Sequence, residues 1–133
     1  MKNLLTIFTL LFTVMIPSTS FAEWTRVTDN DKGDVYYVDF ERIREHNGYV
    51  YFWRLRDHLK PNYWGELSAS IYYQGDCQRF RTSLLSGVFY KEPMGGGVGE
   101  TKKPTEDDKD WYYPTPDSEN ETILKEVCDF ISE

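Results

Sequence analysis

Two cysteines, Cys77 and Cys128, are the residues of this chain with the clearest chemistry. A thiol pair in an exported protein is oxidised to a disulfide, whereas the same pair in the cytosol stays reduced. Two cysteines allow a single intramolecular pairing. The two cysteines are 51 positions apart, and a bond between them would close a loop that stabilises the fold by about 4 kcal/mol in the loop-entropy model. A metal site is disfavoured, because the chain has no Cys-x-x-Cys and only two histidines.

No other side chains have the spacing of a catalytic site. His58 follows Asp57 in an extended segment, where neighbouring side chains point to opposite faces. His46 lies beside Glu45 without a third partner at a suitable spacing. Four serines alternate along predicted strands without the context of a nucleophile elbow: Ser68, Ser70, Ser83 and Ser86. The sequence therefore predicts a protein that is not an enzyme.

Residues 91–110 combine four glycines, two prolines and a run of acids. The glycines are not followed by a helix, so they do not form a phosphate loop. The acids at positions 107, 108 and 110 lack the offsets of a calcium loop. We therefore predict no metal and no cofactor. The composition predicts a segment that does not order itself, and a loop of this length in a compact domain is usually either functional or mobile.

The N-terminus predicts export. Lys2 precedes an apolar run at positions 4–16, and Ser20-Phe21-Ala22 has small residues at the two positions that a signal peptidase recognises. Cleavage after residue 22 would leave a single domain at 23–133. The run is too short for a membrane span, and no cysteine for lipid attachment lies near the cleavage site. The expected location is periplasmic or secreted, with surface display left open. Removal of the signal peptide with its single Lys2 leaves a net charge of −8, which argues against nucleic acid or anionic lipid as the main partner.

Strand patterns cover most of the remaining chain. Strands are predicted at 24–28, 35–39, 49–58, 66–73 and 77–90, with an edge strand near 111–114 and turns at 47–48 and 74–76. Cys77 has the parity of Arg79 and Arg81 rather than that of Phe80 and Leu84. Either a bulge intervenes or Cys77 precedes regular pairing, and both alternatives stay open.

A single helix is predicted at the C-terminus. Ser118 and Glu121 form a capping box, and one helical stripe follows: Ile123, Leu124, Val127, Cys128 and Ile131. The predicted fold class is α+β. An antiparallel sheet of five to six strands would carry this helix on one face, with the helix tied to the sheet by a disulfide.

Aromatic and arginine side chains are the candidate binding groups. The chain holds 4 Trp, 10 Tyr and 8 Phe, which either fill a small core or form a recognition surface. Tyr51, Trp53 and Tyr73 are candidates for an enclosed pocket between sheet and helix. Four arginines lie on neighbouring segments, as a basic stripe or in pairs with acids such as Glu66: Arg54, Arg56, Arg79 and Arg81.

An ordered set of residues resembles the surface-adhesin protein E family. The set is Trp24, Val27, Val35-Tyr36-Tyr37-Val38-Asp39, Ile43, Val50, Phe52-Trp53, Leu55, Asp57, Ser68, Ser70, Asp76-Cys77, Arg79-Phe80-Arg81, the stretch 111–116, Ser118 and Val127-Cys128. The resemblance implies an antiparallel sheet, a C-terminal helix and a Cys77–Cys128 disulfide. It also implies adhesion to host matrix or serum proteins from a bacterial surface.

The first hypothesis is accordingly a non-enzymatic bacterial envelope protein that binds a protein partner, such as a host extracellular-matrix protein, or a second copy of itself. Binding would use the sheet and residues 91–110. The alternative is a periplasmic protein that binds a small apolar or aromatic ligand between sheet and helix.

Overall fold

The fold is a seven-stranded antiparallel sheet with one α-helix, seen in a computed structural model that describes residues 22–133. The predicted signal peptide lies almost wholly outside the described residues. The strands are β1 (Thr25–Asp29), β2 (Val35–Val38), β3 (Arg44–His46), β4 (Tyr49–Asp57), β5 (Ser68–Asp76), β6 (Arg81–Tyr90) and β7 (Gly99–Lys102), and the helix is α1 (Glu119–Ile131).

The strand order is β1-β2-β4-β5-β6-β7, and β3 pairs with the first half of β4. Short 3-10 helices occupy Phe40–Arg42, Pro93–Gly95 and Glu106–Asp108. The predicted α+β class, the antiparallel sheet and the single C-terminal helix are confirmed. The sheet has more strands than expected, because β3 and β7 are short polar segments without an apolar alternation.

One face of the sheet, called here the helix face, packs against α1. Val50 and Phe52 of β4 alternate onto this face, where they meet Leu124 and Val127 of α1 in one buried cluster. Burial of each such side chain contributes about 1.5–3 kcal/mol to folding. Gly75 on the neighbouring strand belongs to the same layer. A Cβ atom there would lie 2.7 Å from Val50 Cγ1 and 3.3 Å from Leu124 Cδ1, so the layer closes only over a glycine.

The helix begins where the capping box predicts. The Ser118 hydroxyl accepts a hydrogen bond from the Glu121 amide at 3.2 Å. The Glu121 carboxylate in turn accepts one from the amide of Asp117, the residue before the N-cap, at 3.1 Å. The Cys77–Cys128 disulfide is present, with its Cα atoms 5.8 Å apart. This bond joins α1 to the turn between β5 and β6.

The predicted turn at 74–76 is wrong. These residues continue β5, and Gly75 and Asp76 pair with Thr82 and Arg81 of β6. The chain instead reverses at 77–80. There Asp76 Oδ1 accepts hydrogen bonds from the backbone amides of Gln78 and Arg79, each at 3.2 Å. Cys77 therefore precedes regular pairing, which decides between the two alternatives for its parity. The glycine that suggested a turn is needed for packing under the helix.

The prediction that residues 91–110 do not order themselves is also wrong. This segment contains β7, which pairs with β6 from Gly87 to Tyr90. Backbone hydrogen bonding along an open strand edge orders a segment even when its side chains are polar. The stretch at 111–114 forms a single bridge between Tyr112 and Thr82 rather than a strand.

Candidate functional site

The three aromatic residues predicted to share a pocket lie on opposite faces of the sheet. In the β4–β5 pair Phe52 stands opposite Tyr73, and Trp53 stands opposite Tyr72. Tyr73 is therefore on the helix face, whereas Tyr51 and Trp53 are on the other. The space between Phe52, Tyr73 and Leu124 measures about 10 Å³, room for at most one water molecule. The predicted ligand pocket under the helix is accordingly not formed by these residues.

Arg54 lies between the sheet and the helix. Its guanidinium donates to Tyr73 Oη at 2.6 Å and to Asn120 Oδ1, and it stacks over the ring of Tyr36 at 5.4 Å. A planar guanidinium that lies between two aromatic rings and donates to an amide oxygen stabilises packing at the edge of the core. Arg54 is thus used structurally.

Arg56 pairs with the buried carboxylate of Asp34, with 2.8 Å between Nη2 and Oδ2. Burial raises the pKa of Asp34, but hydrogen bonds from Arg56, the Leu59 amide, Asn30 and His58 outweigh it and lower the pKa to about 2. The carboxylate therefore stays ionised and joins the β1–β2 turn to the end of β4.

Arg81 is at the other end of the sheet. It donates to Asp76 Oδ2 at 2.9 Å and stacks over Trp111 at 4.1 Å. Arg79 is exposed in the β5–β6 turn. The four predicted arginines therefore do not form a stripe. Pairing with acids is confirmed for Arg56 and Arg81, but the acids are Asp34 and Asp76, whereas Glu66 lies near Lys102 at 3.7 Å.

The sheet face opposite α1 carries a row of half-buried aromatic rings, called here the aromatic face. Trp53 and Tyr72 have ring centroids 4.7 Å apart, and Tyr51 continues the row at 6.3 Å from Tyr72. The face comprises Trp24, Tyr49, Tyr51, Trp53, Tyr72, Tyr90 and Trp111. Half-exposed Tyr and Trp offer large apolar area at low entropic cost, which is typical of recognition surfaces.

An open cleft of about 350 Å³ lies at one end of the aromatic face. Trp24, Trp53 and Tyr90 form its walls together with Met94, and Arg42 lies 6.0 Å from the Trp53 ring. Arg42 Nε is also 3.9 Å from the buried carboxylate of Asp39. The charge and hydrogen bond of Glu23 raise the pKa of Glu41, as does the charge of Asp39. These acids lie outside the lining of the cleft, in which Arg42 is the one charged residue.

Neither the cleft nor the rest of the described chain contains a set of residues for metal binding. No group of three or more His, Cys, Asp or Glu side chains within residues 22–133 is arranged to hold an ion. No helix in the same range is long and apolar enough to cross a bilayer.

Sequence reasoning found Tyr51 and Trp53 but missed their neighbours Tyr72, Trp24 and Tyr90. The alternation of side chains along a strand predicts that Tyr72 and Tyr73 of β5 point to opposite faces of the sheet. Only the strand register shows that Tyr72, rather than Tyr73, stands beside Trp53.

Residues 24–129, nearly all of the described chain, match the family described as Surface-adhesin protein E. The chain belongs to the surface-adhesin protein E family. The resemblance seen in the sequence is thus confirmed, and the family's adhesive character supports a surface or exported protein. No functionally curated protein matches this chain.

Solved structures of protein E from Haemophilus influenzae share the fold. Crystal form II has a TM-score of 0.66 and 21% identity over 88% of this chain and 95% of that one. A second structure has a TM-score of 0.62 and 22% identity over 85% and 89%. The antiparallel sheet with a C-terminal helix is therefore an architecture that this surface-adhesin protein E chain has in common with protein E.

Proposed function

We propose that this chain is a non-enzymatic exported protein that binds a protein partner through the aromatic face. The observation that carries the proposal is the Trp53–Tyr72–Tyr51 row, which α1 leaves half exposed because it packs on the opposite face. Membership of an adhesin family supports a partner from the host extracellular matrix and a periplasmic or secreted location.

The aromatic face suits a protein better than a nucleic acid. The chain has a net charge of −7, and both cations stacked on this face are already in contact with carboxylates, Arg42 with Asp39 and Arg81 with Asp76. Stacked rings flanked by paired charges resemble the apolar centre and polar rim of a protein interface.

Direct binding to immobilised extracellular-matrix components tests the proposal. Trp53→Ala and Tyr72→Ala should each weaken binding by about tenfold or more, since central aromatic residues dominate interface energy. Ser86→Arg is a third variant, which leaves the rings in place. Ser86 stands opposite Tyr72, so the added side chain covers the face. Tyr112→Ala removes an exposed ring from elsewhere and serves as the control.

Unchanged binding in all three face variants would overturn the proposal. Loss of binding together with a change from dimer to monomer in sedimentation would show instead that a second copy of the chain occupies the face.

The cleft supports a second candidate, a small apolar or aromatic ligand. Its volume of about 350 Å³ lies within the usual range for small-molecule sites, and two tryptophans line it. The site is on the aromatic face rather than under the helix. A ligand there should quench the fluorescence of Trp24 and Trp53, and Trp53→Phe should reduce that change.

A further inference from the structure

Asp39 carries a buried carboxylate without a hydrogen bond. Its side chain is 1% exposed, and neither Oδ1 nor Oδ2 meets a hydrogen-bond donor within residues 22–133. Arg42 is its ion-pair partner in the same range, but Arg42 Nε lies 3.9 Å from Oδ2, too far for a hydrogen bond. A carboxylate that has lost water and gained no donor destabilises the fold. Asp39 therefore lacks a close, charged donor.

Strand pairing places Asp39 beside the first described residues of the chain. Thr25 of β1 stands opposite Val38 of β2. One step further along this register brings Trp24 beside Asp39. Val38 packs in the buried cluster of the helix face, so Asp39 projects toward the other face of the sheet, as Trp24 does. Glu23 follows directly at the same corner of the sheet.

Two further contacts place Glu23 at this corner. Its side chain shares a hydrogen bond with that of Glu41, and the charge of Asp39 also acts on the Glu41 carboxyl group. Ala22 and Trp24, the residues on either side of Glu23, both line the cleft on the aromatic face. The backbone nitrogen of Glu23 therefore lies between that cleft and three carboxyl groups, which we call the N-terminal corner.

The N-terminal corner has an unbalanced negative charge. Against its three acids, the described residues supply two guanidinium groups, those of Arg42 and Arg44. Arg44 Nη1 donates to the Glu41 carbonyl at 3.0 Å. Arg26, further along β1, is already paired with Asp29. One added cation at this corner would balance the remaining charge.

Cleavage at the predicted signal-peptidase site creates such a cation. Hydrolysis of the Ala22–Glu23 peptide bond consumes one water, leaves a carboxylate on Ala22 and leaves an α-ammonium on Glu23. A neutral amide with one donor thereby becomes a positive group with three donors. Neighbouring strands lie about 5 Å apart, so the freed end of an extended segment can reach an acid on the opposite strand.

We propose that the α-ammonium of Glu23, once signal cleavage has produced it, pairs with the buried Asp39 carboxylate and holds the start of β1 against β2. Capture of a chain's terminal amine is a recurring mode of recognition, and charge-assisted hydrogen bonds are roughly twice as strong as neutral ones. Ala22 leaves the wall of the cleft in the same step, so the cleft takes its final form only in the processed chain. The proposal rests on export, as the proposed function does, but it concerns stability rather than partner binding.

Three chains that differ only at the N-terminus test the pairing. One begins at Glu23, the second is the same chain acetylated at its α-amine, and the third begins at Ala22 and carries its ammonium one residue further out. We expect the first to melt at least about 3 °C above the other two. Asp39→Asn should abolish this difference. Asp29→Asn removes an exposed acid at the far end of β1 and should preserve it.

Titration of the α-amine tests the same pair without any substitution. Reductive methylation with a ¹³C label keeps the positive charge and gives an NMR signal that follows the protonation of the amine. Paired with Asp39 and flanked by Glu41, the α-amine should have a higher pKa in the folded chain than in the same chain unfolded in urea.

Equal melting of the three chains would overturn the proposal, as would an amine with the same pKa in the folded and unfolded chain. An equal loss from Asp39→Asn in all three chains would overturn it as well, since Asp39 would then serve Arg42 alone. Mass spectrometry of the exported protein tests the cleavage step separately, because a first residue other than Glu23 would contradict it. None of these measurements depends on binding to matrix protein, so the proposed function can fail while this pairing stands.

Discussion

Cys77 and Cys128 are joined across 51 residues of sequence, and their bond connects the β5–β6 turn to the last turns of α1. Both cysteines pack against the buried cluster of the helix face. The disulfide therefore holds the C-terminal helix on the sheet at a point where Val127 and Leu124 already make the apolar contact.

Replacement of Cys128 by Ser should lower the free energy of unfolding by about 2–5 kcal/mol, because the unfolded chain gains the entropy of an open loop. Urea denaturation monitored by circular dichroism measures the change. The double variant Cys77→Ser/Cys128→Ser should match the single variant and should not respond to reductant. Equal stability of the wild type with and without reductant would contradict a stabilising role for the bond.

The Asp34 carboxylate should make stability depend on acid pH. Its folded pKa of about 2 lies below the ordinary value of 3.8, so its contribution is complete above pH 3.8 and is lost as pH falls through about 2. With allowance for solvent screening the contribution is about 1 kcal/mol. Asp34→Asn should remove this part of the pH dependence in denaturation curves between those two pH values. A variant curve that keeps the wild-type slope would contradict the assignment.

Gly75→Ala should destabilise the protein by about 1–3 kcal/mol, since the new methyl group would overlap Val50 and press on Leu124. Thermal unfolding measures the loss. Gly48→Asn is a matched control at the Asn47–Gly48 turn, where a Cβ atom meets nothing within 4 Å and Asn tolerates the positive φ. We expect that control to stay within about 0.5 kcal/mol of the wild type.

Leu124→Ala should cost about 2–5 kcal/mol, because Leu124 is fully buried between α1 and the sheet. Lys125→Ala changes the next residue on the exposed side of the same helix and should leave stability nearly unchanged. A similar loss in both variants would contradict the assignment of the effect to burial of Leu124 under the helix.

Local patterns were sufficient for the elements whose signals lie within a few residues. The Ser118–Glu121 capping box and the apolar stripe at 123–131 predicted α1, because helix caps and helical periodicity are local properties. Alternation in β4 placed Tyr51 and Trp53 on one face for the same reason. Two cysteines in a chain with a predicted export signal were enough to predict the disulfide.

Tertiary structure decided which residues meet across strands. The register of β4 with β5 set Tyr73 against Phe52 and Tyr72 against Trp53, and a shift of one residue would have exchanged the two faces. Tertiary packing also explains Gly75, which the sequence pattern assigned to a turn but which lies within β5 against the helix. The pairing of β1 with β2 likewise brought a buried carboxylate beside the predicted cleavage site, because antiparallel pairing aligns segments that the chain order separates.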